Sequence, residues 1–233
     1  MSISPDGGLL MAAQYSGKID FGGGLTDYIA LRDVAIVKFD PMGKERWTRT
    51  LNSPSNLWIA DIAADPAGNV IAVGGLEGAD LVMAGRDYKR AKEALDGFIT
   101  KLDVSGKPQW LRVMGSEQDD ILSSVATDQF GNIWVTGFFW FAVDLFGIEL
   151  RSAGSKDILF AKLNPMGKAM WAHRFGSEDH DRGRSVFVGP NGLVALTGTF
   201  RFDIKMGETV LNSRRKKSEA FPFGDAFLAL FEP

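Results

Sequence analysis

Apolar residues in this chain come in short runs, never long enough or regularly enough spaced to trace the stripe of an amphipathic helix. Residues 34–37 (VAIV), 70–73 (VIAV), 133–135 (IWV), 158–161 (ILFA) and 193–196 (LVAL) are apolar at consecutive positions. A strand that is apolar on both alternating sides is covered on both faces. Runs of a second kind are mixed: Trp47, Trp110 and Trp171 are each followed two places later by Arg49, Arg112 or His173. That mixture suits the outermost strand of a sheet, half in water. Turn residues separate the runs, so the pattern predicts an all-β chain of many short strands.

The runs recur in a fixed order about every 60 residues, the period of a repeat architecture. One half of the unit reads DVAIVKFDPMGKERW (33–47), DGFITKLDVSGKPQW (96–110) and DILFAKLNPMGKAMW (157–171), and DAFLALFEP (225–233) begins a fourth copy. Asp, Lys, Gly, Lys and Trp hold the same offsets in the three full copies. The other half reads SPDGGLLMAA (4–13), ADPAGNVIAVGG (64–75), TDQFGNIWVTG (127–137) and GPNGLVALTG (189–198). A third element ending in glycine follows each: IDFG (19–22), DLVMAG (80–85), VDLFG (143–147) and FDIKMG (202–207).

Each unit reads as four strands in two hairpins. In DPMG an Asp accepts a backbone N–H, Pro presets φ, and the glycine takes the positive-φ position before the chain reverses. Gly43, Gly106 and Gly167 fill that role in one hairpin, and Gly68, Gly131 and Gly192 in the other. Four-stranded sheets covered on both faces and repeated along the chain describe the blades of a β-propeller. The expected blades are 1–51, 59–114, 121–175 and 184–233, forming one domain. The last blade is incomplete, which leaves two expectations open: a four-bladed ring, or an open arc of a larger propeller that self-associates through its exposed faces.

The paired signatures D-x-x-x-x-K-x-x-x-x-G-K-x-x-W and D-x-x-G-N-x-x-x-x-G resemble SBBP-type β-propeller repeats of bacterial surface and secreted proteins. The resemblance covers essentially the whole chain and departs from it at Gly189, where Asp is expected, and at Leu193, where Asn is expected. It implies a propeller fold and export or cell-surface display, and brings no catalytic residues. The string around each tryptophan also looks like the Asp-box of sialidases and the tryptophan-docking motif of quinoproteins. In both families it is structural, so Trp47, Trp110 and Trp171 are expected to pack blades together. A sialidase would also need an arginine triad and a tyrosine nucleophile, against only Tyr15, Tyr28 and Tyr88 here.

Composition adds few constraints. Glycine, at 27 of 233 residues, is well above the typical share of roughly 7%, as so many turns require. The net charge of −3 gives no general attraction to nucleic acid, and no apolar run approaches the roughly 18 residues of a membrane span. The start, MSISPDGGLLMAAQ, has no basic region ahead of an apolar segment, so no signal peptide is expected there. Absence of cysteine leaves the compartment open.

Candidate chemistry gathers on the side opposite the tight turns. Two matching acidic loops, GSEQDD (115–120) and GSEDHDR (176–182), place Asp119, Asp120, Asp179, His180 and Asp181 there. Oxygens at that density suit a calcium ion or a cationic ligand. The spacing matches no established calcium loop, and the first-unit equivalent SPSN (53–56) has no acid, so solvated polar loops are expected. His173, on an outer strand, and His180 are too isolated for zinc; no metal or cofactor is expected. His180, between two aspartates, has the setting of a pH-sensitive contact. HExxH, GxSxG and P-loop signatures are absent. In the run 138–141, Phe138 begins on a buried strand, while Trp140 and Phe141 reach the loop-bearing side, where rings stack on sugars or grip a partner. RDYKRAKEAL (86–95) reads as a loop with a helical turn, and the basic run 214–217 as a solvated loop.

The expected function is a non-catalytic scaffold presenting residues 76–95, 138–156 and 199–224 to a protein or glycan. The alternative is a hydrolase or lyase using Asp119, Asp120, Asp179 and Asp181 at the channel mouth, which requires those acids to converge in one pocket.

Overall fold

A computed structural model describes residues 1–26, 33–77, 81–83, 86–88, 94–214 and 224–232. Among these residues there are strands, turns and bends but no helix. Each repeat unit folds into its own antiparallel sheet. The first contains β1 (Ser2–Ile3), β2 (Leu9–Tyr15), β3 (Asp33–Phe39) and β4 (Glu45–Asn52) in that order. The second contains β5 (Leu57–Ala64), β6 (Val70–Glu77), β9 (Leu95–Leu102) and β10 (Pro108–Met114). The third runs β11 (Ile121–Thr127), β12 (Ile133–Asp144), β13 (Glu149–Leu163) and β14 (Ala169–Phe175). The fourth has three strands, β15 (Arg182–Val188), β16 (Val194–Phe200) and β19 (Asp225–Phe231).

The tight turns form as their chemistry dictates. Gly43, Gly68, Gly106, Gly131, Gly167 and Gly192 all have φ between 75° and 83°, a region that residues with a Cβ rarely enter. The turn aspartate accepts two backbone N–H groups: Asp40 takes those of Met42 and Lys44, and Asp103 those of Ser105 and Lys107. The first turns of all four units, at 3–5, 64–66, 127–130 and 188–192, line one cavity of about 380 Å3.

Sheets pack face to face through separate apolar clusters. Leu10, Ile36, Leu57 and Phe98 join the first to the second; Val73, Ile99, Leu122 and Val135 the second to the third; Phe160, Val186, Leu196 and Phe227 the third to the fourth. Polar bonds tie the innermost strands of the last three sheets: Asp61 accepts from the Ser124 hydroxyl at 2.7 Å, whose oxygen accepts the Val186 N–H at 3.2 Å. At the outer edge, the Trp47 indole N–H donates to the Val104 carbonyl at 3.0 Å and that of Trp110 to the Pro165 carbonyl at 3.2 Å. Each acceptor lies in a tight turn of the following sheet. Arg49 and Arg112 reach the same turns, donating to the Gly106 and Met166 carbonyls.

The glycine-ended element of the later units is a hairpin. β7 (Leu81–Met83) and β8 (Arg86–Tyr88) extend the first sheet, β7 pairing with β4. β17 (Ile204–Met206) and β18 (Thr209–Leu211) form a two-stranded sheet whose Ile204 and Met206 pack at the junction of the third and fourth sheets. Two expectations are thereby corrected. Residues 138–156 are mostly the long β12–β13 hairpin and not a loop, because Val143, Leu145 and Leu150 bury against the junction of the second and third sheets. Arg86–Tyr88 is a strand and not a loop, because β8 pairs with β7; the helical turn expected within 86–95 falls partly on residues 89–93, which lie outside those described.

The fourth unit also departs from the expectation that both its faces are covered. Strand β16 alternates between buried and half-buried, and Phe187, Leu228 and Leu230 are 64%, 65% and 60% exposed. Among the described residues no buried apolar cluster joins the fourth sheet to the first. The Gly189 departure now has a partner. In the other units the turn aspartate forms an ion pair with the lysine of the third strand: Asp6 with Lys38 at 2.7 Å, Asp65 with Lys101 at 2.8 Å, Asp128 with Lys162 at 3.0 Å. Burial pushes the Asp65 carboxyl up, but Lys101 and Asn69 outweigh it and hold the group below the ordinary carboxylate range. In the fourth unit Gly189 replaces the acid and Leu230 the lysine, so neither charge is stranded.

Removing one member of a buried ion pair costs about 3–5 kcal/mol because it leaves the other charge uncompensated. Lys101→Leu is therefore expected to lower the urea midpoint strongly, and adding Asp65→Asn to recover part of the loss. A double variant less stable than Lys101→Leu would refute this account of the pair.

Candidate functional site

The acidic loops after the second and third sheets are matched in structure, and one acid of each is internal wiring. Asp120 is fully buried; its carboxylate accepts the Ser116 N–H within its own loop and the Trp140 N–H, at 2.7 Å, from the end of β12. Asp181 repeats the arrangement, accepting the Ser177 N–H at 2.6 Å and the Arg201 N–H at 2.9 Å. Burial raises both carboxyls, Asp120 to about 6 with a further push from Asp96, and Asp181 with one from Asp157. The expectation of solvated loops is thus corrected for these two acids, whose oxygens are engaged by backbone donors. Asp119 is exposed, and Asp179 is half-buried and paired with Arg201 at 2.9 Å.

Phe138 and Phe139 are buried, as expected for the start of the aromatic run. Trp140 is half-buried and meets His180 edge-on, with ring centroids 5.2 Å apart. Phe141 is 56% exposed with φ of 52°, at a register shift between β12 and β13. A bulky residue held in the left-handed region is strained by about 1–3 kcal/mol, and such residues cluster at ligand clamps.

Three residues of the candidate site are not singled out by the sequence. Lys156 is buried, with its ammonium 4.8 Å from the Phe138 ring centroid and 5.3 Å from that of Trp140. Arg182 lies 5.1 Å over Phe138, and Arg201 joins from the end of β16. Burial lowers the basicity of Lys156, Arg182 and His180, and neighbouring cations lower it further. The only signal available was Lys156 itself, where the second unit has Leu95. The structure therefore gathers Trp140, Phe141, Asp179 and His180 with these cations, and sets Asp120 and Asp181 beneath as supports.

His173 is exposed on β14, with its ring 5.1 Å from Trp171. Arg214 is exposed and its N–H donates to Asp225, while 215–217 lie outside the described residues. Among the described residues no group of three or more His, Asp or Glu could hold a metal ion, and no helix is long and apolar enough to cross a membrane.

No protein-family model matches the chain. It is 22% identical over 195 residues to an uncharacterised WD repeat-containing protein of Acanthamoeba polyphaga mimivirus, covering 73% of this chain and 14% of that protein. It is 26% identical over 206 residues to the regulatory protein FlaEY of Caulobacter vibrioides, covering 83% of this chain and 21% of that protein. The chain thus spans a small part of both relatives. A solved structure of a protein of unknown function from Bacteroides caccae aligns over 76% of this chain and 68% of that one, with 12% identity and a TM-score of 0.28, too low to argue from. Together with four repeated antiparallel sheets, the WD-repeat relative is compatible with a propeller-like repeat fold.

The raised Asp120 carboxyl makes a signed prediction. A folded-state value near 6, against an unfolded value of about 3.9, means the folded state binds the proton more tightly. Asp120 should therefore lose stabilising influence as pH rises from about 4 to about 6, then level off. Urea midpoints of wild type and Asp120→Asn across that window should show the wild-type advantage falling with pH; a rising difference would rule the assignment out.

Proposed function

We propose that the chain is a propeller-like, non-catalytic scaffold of about four blades that binds a protein partner on the loop-bearing side of its third and fourth sheets. The observation that carries this reading is Phe141: an exposed aromatic ring in a strained backbone conformation beside Trp140. Rigid aromatic anchors of this kind dominate protein interfaces. The similarity to a WD-repeat protein supports a repeat scaffold, and the name of the second relative a regulatory setting. The engagement of Asp120 and Asp181 by backbone N–H groups argues against their use as acid and base. A hydrolase or lyase would need them free to exchange protons with a substrate.

Affinity capture with the wild-type chain and with Phe141→Ala should distinguish scaffold from enzyme. We expect specific protein partners retained by wild type and lost by the variant, whose thermal stability should hold because the Phe141 ring is 56% exposed. Turnover against a panel of glycosidic and ester substrates, abolished by Asp119→Asn or Asp179→Asn, would overturn the reading.

A second reading is favoured by the fourth sheet, which has three strands among the described residues and exposes Phe187, Leu228 and Leu230 together. Here the sheets form an open arc, and a second copy covers this face. Light scattering should then give the mass of two chains, reduced to one by Phe187→Ser with Leu228→Ser; a monomeric wild type would sink it.

A further inference from the structure

The junction of the third and fourth sheets gathers four cations, while three of the carboxylates around them are taken up internally, Asp120 and Asp181 by backbone N–H groups and Asp157 by Arg174. Lys156, Arg182, Arg184 and Arg201 act on one another there, and the carboxylates that act on them are Asp119 and Asp179. Asp179 is engaged by Arg201. Asp119 is exposed and acts at a distance, within ion-pair range of none of the cations. Among the described residues Lys156, Arg182 and Arg184 have no hydrogen-bond acceptor or ion-pair partner. Lys156 is the telling case. At 7% exposure the side chain is nearly enclosed, and its ammonium lies against the faces of Phe138 and Trp140. Cation–π contacts offset only part of what partial desolvation of an ion costs. An anion arriving between Lys156 and the arginines would offset that cost and the mutual repulsion.

We propose that Lys156, Arg182 and Arg184, backed by the rings of Phe138 and Trp140, anchor the carboxylates of an acidic peptide segment in a protein partner. The inference rests on the scaffold reading and deepens it. Aspartate or glutamate side chains engage the three cations, and the exposed Phe141 ring takes an adjacent apolar side chain. The protein partner of the scaffold reading favours a peptide, and an acidic saccharide stacked on the Phe141 ring is the rival that competition decides. The site lies in a chain whose net charge is −3, so attraction of acidic segments is a property of this patch and not of the molecule.

The test uses the whole chain and a fluorescein-labelled hexaglutamate peptide ending in leucine, followed by fluorescence anisotropy. Saturable binding is expected, weakening as salt rises from about 50 to about 300 mM. Arg182→Gln with Arg184→Gln should weaken it by at least about tenfold, while Lys44→Gln with Lys168→Gln, on exposed cations at the tight turns, should stay within about twofold. Lys156→Met keeps the apolar stem against both rings and is a second variant, read once its urea midpoint shows that it folds. Absence of saturable binding, or equal loss in the control pair, would overturn the proposal. So would displacement of the peptide by oligogalacturonate at lower concentration than by unlabelled hexaglutamate. Protein partners lost with Phe141→Ala but retained by Arg182→Gln with Arg184→Gln would reject the anchor and leave the scaffold standing.

Discussion

Face-to-face packing of apolar sheets is strong but has little directional preference, and it leaves open how one sheet is registered on the next. Across the first two boundaries the register is set by an indole N–H donated to the next sheet. Trp47 grips the turn at Val104 and Trp110 the turn at Pro165, with Arg49 and Arg112 holding the same turns by their guanidinium groups. The receiving glycine is required twice over. Gly106 needs a φ of 79°, and a Cβ there would come within 2.7 Å of the Trp47 ring. The tryptophan of one unit and the turn glycine of the next are therefore two halves of one lock, which is why they recur together along the chain.

The lock explains why the fourth unit is the odd one. It offers no outer strand among the described residues, and it has dropped both members of the aspartate–lysine pair through Gly189 and Leu230. The other three sheets keep that pair, two of them with the lysine nearly enclosed. Losing both partners avoids stranding a charge. The same substitutions turn the outer side of the sheet apolar, with Leu230 beside Leu228 on the last strand. One face of this unit completes a core with the third sheet; the other presents Phe187 and the two leucines to solvent.

Periodicity made the four units, their strands and their turn glycines legible, because each depends on a few residues close in sequence. The same pattern misjudged residues 138–156, since extension of a hairpin depends on burial of Val143, Leu145 and Leu150 against a different unit. It misjudged the fourth unit for a similar reason: LVAL is apolar at consecutive positions, yet burial on a second face needs a neighbour that no local run encodes. The cation cluster was least legible of all. Lys156 comes from the third unit's long hairpin, Arg182 from the start of β15 and Arg201 from the end of β16, and only the packing of two sheets brings them together.

Asp120 and Asp181 looked like chemistry because they are acids in matched loops, and their actual positions give them another role. Each accepts an N–H from the end of a second strand, Asp120 from Trp140 and Asp181 from Arg201. The two residues so held are an aromatic and a cation of the candidate surface. A charged acceptor binds a backbone donor more strongly than a neutral one, and one buried carboxylate can fix both its own loop and the strand beside it. Trp140 immediately precedes the strained Phe141, so its pinned N–H helps hold that ring in a conformation the chain would otherwise relax. The acids thus act through the residues they position, and the aromatic and cationic groups of the candidate surface are the ones the acids hold in place.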